Sequence, residues 1–246
     1  MALTWHLAGS WRGTDAERLF SSLDRAFSVC GDRVASSSLS EVLAVRAHDT
    51  LFYVKRYFRS GKRFRRFLGR SRVQGEWQNL QFLGDLGIPC ASVVAFGLER
   101  RFGLFQRGAL VTAEVPDAVD LETISHEGGG PFTDRRWRDA VSAQVAEHVC
   151  RMHGSRFIHS DFKWRNILVT RGARPRVTLI DCPTGGIFPL PDFHYRRAKE
   201  LGRLDLAARR HLTRTERLRF FKRYCGSDRL TPSQRRLLRR VATHHD

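Results

Sequence analysis

The chain has 246 residues, of which 41% are hydrophobic, and carries a formal net charge of +18. This length is enough for one domain or two small lobes, and no apolar run approaches the roughly 18–20 residues of a membrane helix. Five cysteines, odd in number and never in a C-x-x-C pair, argue against a disulfide framework or a zinc site and for a reducing compartment. The charge implies an anionic partner: nucleic acid, acidic lipid headgroups or a phosphorylated glycan.

In chain order, Met1-Ala-Leu-Thr-Trp-His-Leu-Ala lacks the basic and long apolar regions of a secretory signal. Thr14 and Glu17 form a capping-box pattern that opens one helix with Leu19, Phe20, Leu23 and Phe27 on a face. Residues 31–41, Gly-Asp-Arg-Val-Ala-Ser-Ser-Ser-Leu-Ser-Glu, stand where a nucleotide kinase covers its phosphates, without a G-x-G-x-x-G. They read equally as a serine-rich turn. Two short β-type runs, 42–45 and 51–54, make a hairpin around His48-Asp49-Thr50, and the second ends in Lys55. A helical stretch over 73–86 places Glu76 beside a buried stripe of Trp77, Leu80 and Leu83.

Between strand and helix lie Arg59, Lys62, Arg63, Arg65, Arg66, Arg70 and Arg72 with no acid, interleaved with Phe58, Phe64, Phe67 and Leu68. This reads either as a solvated face or as a basic amphipathic patch for a membrane or an anionic substrate. Gly87-Ile88-Pro89 ends the helix. Runs at 91–96 and 109–115 complete a five-stranded antiparallel sheet with one helix, and Pro116 marks a boundary between a lobe of residues 1–116 and one of 117–246. The backbone of Glu114 and Val115 is placed at an adenine edge.

After Gly128-Gly129-Gly130-Pro131, Thr133 is expected to cap a long core helix bearing Trp137, Val141, Val145, Val149 and Met152. Thr213/Glu216 and Thr231/Gln234 are further capping boxes, so the C-terminal part is mainly helical. Residues 195–240 hold 16 basic and four acidic residues, which puts most of the excess charge on the last helices.

The chemistry concentrates in Phe157-Ile158-His159-Ser160-Asp161-Phe162-Lys163-Trp164-Arg165-Asn166-Ile167-Leu168-Val169, which reads as strand, loop, strand. Asp181 follows at the end of another β-type run, 177–180. Phosphoryl transfer needs this set: a carboxylate for the acceptor hydroxyl, a lysine for the moving phosphoryl group, and an amide and a second carboxylate for magnesium.

The H-x-D-x-K-x-x-N pattern of His159 to Asn166, with Asp181 after it and Lys55 and Glu76 before it, resembles the catalytic machinery of the protein-kinase-like superfamily. Together with Ile180-Asp181-Cys182-Pro183 and the block 212–221, it more closely resembles the bacterial lipopolysaccharide kinase family, which phosphorylates Kdo or heptose of the inner core. The resemblance implies an α+β, two-lobed fold and ATP and Mg²⁺ as cofactors. It gives Asp161 the acceptor proton, Lys163 the γ-phosphate, Asn166 and Asp181 the metal, and Lys55, paired with Glu76, the α- and β-phosphates. It also implies a monomeric cytoplasmic enzyme at the inner-membrane face, with core glycolipid as acceptor and the basic segments toward anionic lipid. Cys182-Pro183 stands where protein kinases have Phe-Gly, and A-P-E and a long activation loop are absent, which favours a glycan over a protein acceptor. The competing readings are a protein-hydroxyl kinase and a non-catalytic basic scaffold on membrane or RNA; no nucleic-acid motif supports the last.

Overall fold

Alternation decides which face of the first sheet each residue occupies. In the strand running Thr50–Tyr57, Phe52, Val54 and Arg56 fall on one face and Lys55 and Tyr57 on the other. The computed structural model describes residues 2–59, 69–127 and 129–244. The central stretch of the basic segment, Lys62, Arg63, Phe64, Arg65, Arg66, Phe67 and Leu68, lies outside the described residues, as does Gly128.

The chain divides into two compact units, residues 1–81 with 91–115, and residues 82–90 with 116–246. In the first, β1 (Ala2–Leu7) precedes two short helices, α1 (Asp15–Leu19) and α2 (Leu23–Ser28). Then come β2 (Asp32–Ser36), β3 (Ser40–Ala47), β4 (Thr50–Tyr57), α3 (Arg72–Asp85), β5 (Val93–Arg101) and β6 (Leu104–Ala113). The strands form one antiparallel sheet in the order β1-β5-β6-β4-β3-β2.

One sheet face is closed by α1 and α2, whose Ala16, Phe20, Leu23 and Ala26 pack on Leu43, Phe52, Val54, Val94 and Val111. Arg56 is buried on this face. Its guanidinium is satisfied by the carbonyls of Ala26 and Val29 and by Glu41 at 3.2 Å, so a charge in the core is fully partnered. On the other face the α3 ring of Trp77 stacks on Phe96 of β5 at 4.4 Å, with His6 of β1 at 6.1 Å on Trp77. Gly87, at φ +68, ends α3 in a Schellman arrangement in which Ile88 N–H donates to Leu83 O at 3.0 Å.

In the second unit β7 (Ala118–Asp120), α4 (Leu121–His126) and α5 (Arg135–Gly154) precede β8 (Phe157–Ile158), β9 (Ile167–Thr170), β10 (Val177–Leu179) and β11 (Gly186–Ile187). Helices α6 (Leu190–Ala208), α7 (Arg214–Tyr224) and α8 (Pro232–Ala242) follow. The strands form a β10-β9-β7 sheet and a β11-β8 pair. The expected stripe of α5 is buried, with Trp137, Val141, Val145, Val149 and Met152 packing with Leu201 and Leu204 of α6 and Phe221 of α7. Both C-terminal capping boxes form.

Three expectations change. The sheet has six strands rather than five, because Leu3, Trp5 and Leu7 alternate along a strand that adds to the β5 edge. The single N-terminal helix is two, broken after Leu19. Ser22 caps the second by accepting from Arg25 N–H, and the Thr14 hydroxyl accepts from Ala16 N–H rather than completing a box with Glu17. Asp134, not Thr133, caps α5, because residues 131–133 are taken into a 3₁₀ turn.

Candidate active site

The first unit contributes an ammonium held on the uncovered logic of a β-strand. Lys55 leaves β4 on the face away from α1 and α2, and α3 presents Glu76 to it. Lys55 Nζ lies 3.1 Å from Glu76 Oε1 and 2.9 Å from Oε2, with both side chains largely buried. Tyr57, two residues along the same strand face, donates its hydroxyl to Glu76 Oε2, and Lys55 sits 5.5 Å from its ring centroid. Burial, then the neighbouring Glu76 carboxylate, raises the Tyr57 pKa well above its ordinary value, so the phenol remains a donor. Glu76 is thus fixed by two groups from one strand.

The serine-rich stretch forms the tip of the β2–β3 hairpin. Ser37 Oγ accepts from Leu39 N–H at 3.2 Å and Ser40 N–H at 3.1 Å, which keeps those two amides within the turn. At the end of β6, Glu114 N–H donates to Leu51 O at 2.8 Å, so this donor of the placed adenine edge belongs to the sheet.

The second unit gathers the loop residues. Strand β8 runs into His159, Ser160 and Asp161; residues 164–166 form a 3₁₀ turn and β9 leaves. Lys163 Nζ pairs with Asp161 Oδ1 at 2.7 Å, both partly exposed. Asn166 is the joint of the loop. Its Nδ2 donates to Asp161 O at 2.8 Å, and its own carbonyl accepts from Ile180 N–H at 3.1 Å, which draws the Asp181 segment onto the loop. Asp181 and Ser160 both adopt left-handed backbone, at φ 60 and 69. For non-glycine residues such conformations persist only where the surroundings hold them, and they concentrate at functional sites.

What holds Ser160 is Glu200 of α6, a residue that sequence reading missed. Its buried carboxylate accepts Ser160 N–H at 2.7 Å and His159 N–H at 3.4 Å. Beneath it, His153 Nε2 lies 3.2 Å from Glu200 Oε1, and His153 Nδ1 2.9 Å from the Tyr224 hydroxyl, to which Arg197 also donates. A buried acid inside the apolar stripe of Phe193, Ala198, Leu201 and Leu204 was the available signal. His159 is wholly buried against Phe162 at 5.4 Å. Burial lowers its pKa against the opposing pull of Glu200, Asp181 and Asp161. Past Asp181, the Cys182 thiol donates to His159 O at 3.5 Å. A Cβ on Gly185 would stand 2.5 Å from Cys182 Sγ and 3.0 Å from Ile158 O, so glycine lets β11 close on β8.

A model of the lipopolysaccharide kinase (Kdo/WaaP) family matches residues 28–224. The chain belongs to that family. Membership makes it a phosphotransferase that uses ATP and acts on a sugar hydroxyl. Among solved structures, "WaaP in complex with acyl carrier protein" matches with a TM-score of 0.69 at 23% identity, covering 98% of this chain and 94% of that one, and establishes a kinase-like fold. No curated protein sequence matches. The structural likeness covers nearly the whole chain, whereas the family model leaves out β1, α1, nearly all of α2, and α8.

Proposed function

We propose that this kinase transfers the γ-phosphate of ATP to a heptose or Kdo hydroxyl of the lipopolysaccharide inner core, with Asp161 taking the acceptor proton. The observation that carries the reading is the loop itself: Asp161 with Lys163 at 2.7 Å, and Asn166 tying it to the segment before Asp181. In this reading Lys163 offers its remaining donors to the γ-phosphate, since an ammonium has three and Asp161 engages one. Lys55, oriented by Glu76, binds the α- and β-phosphates, and the backbone of Glu114 and Val115 borders the adenine, with Glu114 contributing its carbonyl.

The donor set suits Mg²⁺. Asn166 Nδ2 is spent on Asp161, which leaves Oδ1, and with the Asp181 carboxylate this makes two hard oxygen ligands. Magnesium is commonly held by one or two such groups, with substrate phosphates and water completing the shell. When bound, the ion neutralises phosphate charge; orienting the acceptor and moving its proton fall to the protein.

No helix among the described residues is long and apolar enough to cross a membrane. We place the protein as a cytoplasmic monomer that works at the inner-membrane face through its basic surface. Exposed Arg235, Arg236, Arg239 and Arg240 on α8 support this reading, since the same helix keeps Leu237, Leu238 and Val241 for the core.

An acyl carrier protein is proposed as a further partner, by analogy with the solved WaaP complex. The supporting observation is an apolar cavity of about 260 Å³ inside the second unit, lined by Trp137, Val141, Leu204, Phe221 and Val241 and edged by Arg138. Co-purification with an acylated carrier, lost on Val141→Trp in that cavity, tests this.

The function is tested by transfer of labelled γ-phosphate to purified core glycolipid. Incorporation into the glycan that disappears with Asp161→Ala is expected. Incorporation that persists in that variant overturns the assignment of Asp161, and incorporation only into protein overturns the acceptor.

A further inference from the structure

Beside the loop, in the same unit, lies a small open pocket of about 100 Å³ lined by Ile158, Ser160, Phe162, Arg196, Lys199, Glu200 and Arg203. Its basic residues come from one face of α6, at spacings of three and four that bring side chains together on a helix. The three cations are not equivalent. Arg196 Nε pairs with Asp192 at 2.7 Å, and its guanidinium lies 4.2 Å over the Phe188 ring, so it is already committed. Lys199 and Arg203 are half-buried, and among the described residues neither has a carboxylate partner. Glu200 lies between them in sequence but turns inward, where its two oxygens hold His159 N–H, Ser160 N–H and His153.

Other cations of this region are spent internally: Arg209, just past α6, and Arg217 of α7 on Asp205, and Arg219 and Arg223 of α7 on Asp139. Two half-buried cations left unpaired in a walled pocket are costly to assemble unless an anion enters. A second, independent observation points the same way. Ser160 lines this pocket, and its hydroxyl is buried without a hydrogen-bond partner. Its neighbour in the chain is Asp161, so the pocket adjoins the place where the acceptor hydroxyl is activated.

We propose that Lys199 and Arg203, with the Ser160 hydroxyl, bind an anionic substituent of the acceptor glycan, a carboxylate or a phosphate monoester, and so select acidic acceptors and fix which hydroxyl meets Asp161. The proposal rests on the glycan-kinase reading above. The pocket offers a lysine point charge, an arginine fork and a hydroxyl, the donor set that oxyanions take. One helix then does two things. Inward, Glu200 fixes the loop backbone; outward, Lys199 and Arg203 fix the acceptor relative to that loop.

The test uses the full chain, core glycolipid, and Lys199→Ala, Arg203→Ala and Lys199→Glu variants. Each alanine variant is expected to raise the acceptor KM about tenfold and the charge reversal more, with the KM for ATP unchanged. Two modified acceptors identify the group: one with its carboxylates reduced to alcohols, the other treated with phosphatase. On the acceptor lacking the recognised group, wild type and variants become equal. An acceptor KM unmoved by all three substitutions overturns the site. Inorganic phosphate binding, followed by phosphorus NMR line broadening, separates the two layers of the argument. No transfer to any glycolipid, with phosphate binding still abolished by Lys199→Glu, sinks the glycan reading and keeps the anion pocket. Phosphate binding indifferent to Lys199→Glu sinks the pocket.

Discussion

Glu76 and Glu200 are both buried glutamates, at 4% and 5% exposure, and they do opposite kinds of work. In the first unit Glu76 holds side chains: the Lys55 ammonium and the Tyr57 hydroxyl, both from β4. In the second, Glu200 holds backbone: the amides of His159 and Ser160, with His153 beneath. A strand lysine needs its charge aimed, because a flexible four-carbon stem otherwise samples many rotamers. A loop whose residues sit at positive φ needs its backbone held, and its own side chains then stay partly exposed for chemistry. The contrast teaches that the same residue type is spent where conformational freedom is greatest, on rotamers in one unit and on φ and ψ in the other.

The sharpest way to break the comparison is to remove a charge that neither glutamate holds. Asp161 touches no buried acid and is partly exposed, so Asp161→Asn is expected to lower kcat by at least about 10²-fold, in the range of general-base loss, with stability nearly unchanged. Thermal unfolding and labelled transfer on the same preparation check both halves. A loss of activity matched by a large fall in Tm would mean that the carboxylate is structural.

Next in size is the Lys55–Glu76 pair. Glu76→Ala strands a largely buried ammonium and a buried phenol, and breaking such a pair costs about 3–5 kcal/mol. Replacing both partners, Lys55→Met with Glu76→Leu, is expected to recover most of that stability and none of the activity. Urea midpoints together with ATP binding decide. A double variant that binds ATP normally would show that the ammonium is not a phosphate ligand.

Glu200→Gln is the matching change in the second unit. The amide still accepts from Ser160 N–H but loses the charge-assisted part, so stability is expected to fall by about 1–2 kcal/mol. A fall in kcat of about tenfold with the ATP KM unchanged would mark Glu200 as positioning the loop. If the ATP KM moved instead, the two glutamates would be doing the same job.

Much of this was legible in the sequence where a residue type carries its own chemistry. Lys55, Asp161, Lys163 and Asn166 stand out by spacing, and strand–loop–strand follows from apolar runs around a polar stretch. What was hidden is what acts through packing. Glu200 looks like an ordinary helix acid until α6 is seen to bury it, and Tyr57 like an ordinary strand aromatic until α3 brings Glu76 to it. β1 was missed because an edge strand needs alternation on one side only, and four of the six residues of Ala2–Leu7 are exposed. The pocket at Lys199 and Arg203 was invisible for a different reason: among the 16 basic residues of 195–240, only the structure tells which have already found a carboxylate.

The smallest effect concerns protons in the second unit. His159 and His148 are both buried, and burial lowers the pKa of each. The unfolded chain therefore binds these protons at a higher pH than the folded one. Their contribution to stability is complete above the ordinary imidazole value of 6.5 and is lost as pH falls from there through the lowered folded values. The carboxylate of Asp139, lowered by its hydrogen bond to Arg223, and that of Glu216, lowered against its burial by the Thr213 amide and hydroxyl and then by Arg138, act in a separate window, around and below their ordinary 3.8 and 4.5. Urea unfolding between about pH 7 and pH 5 should thus show falling stability that comes mainly from histidine. His159→Leu is expected to flatten part of that slope without touching the acid limb below it. An unchanged slope would mean that the folded loop admits the proton, and that the carboxylates of Glu200, Asp181 and Asp161 outweigh the burial of the ring.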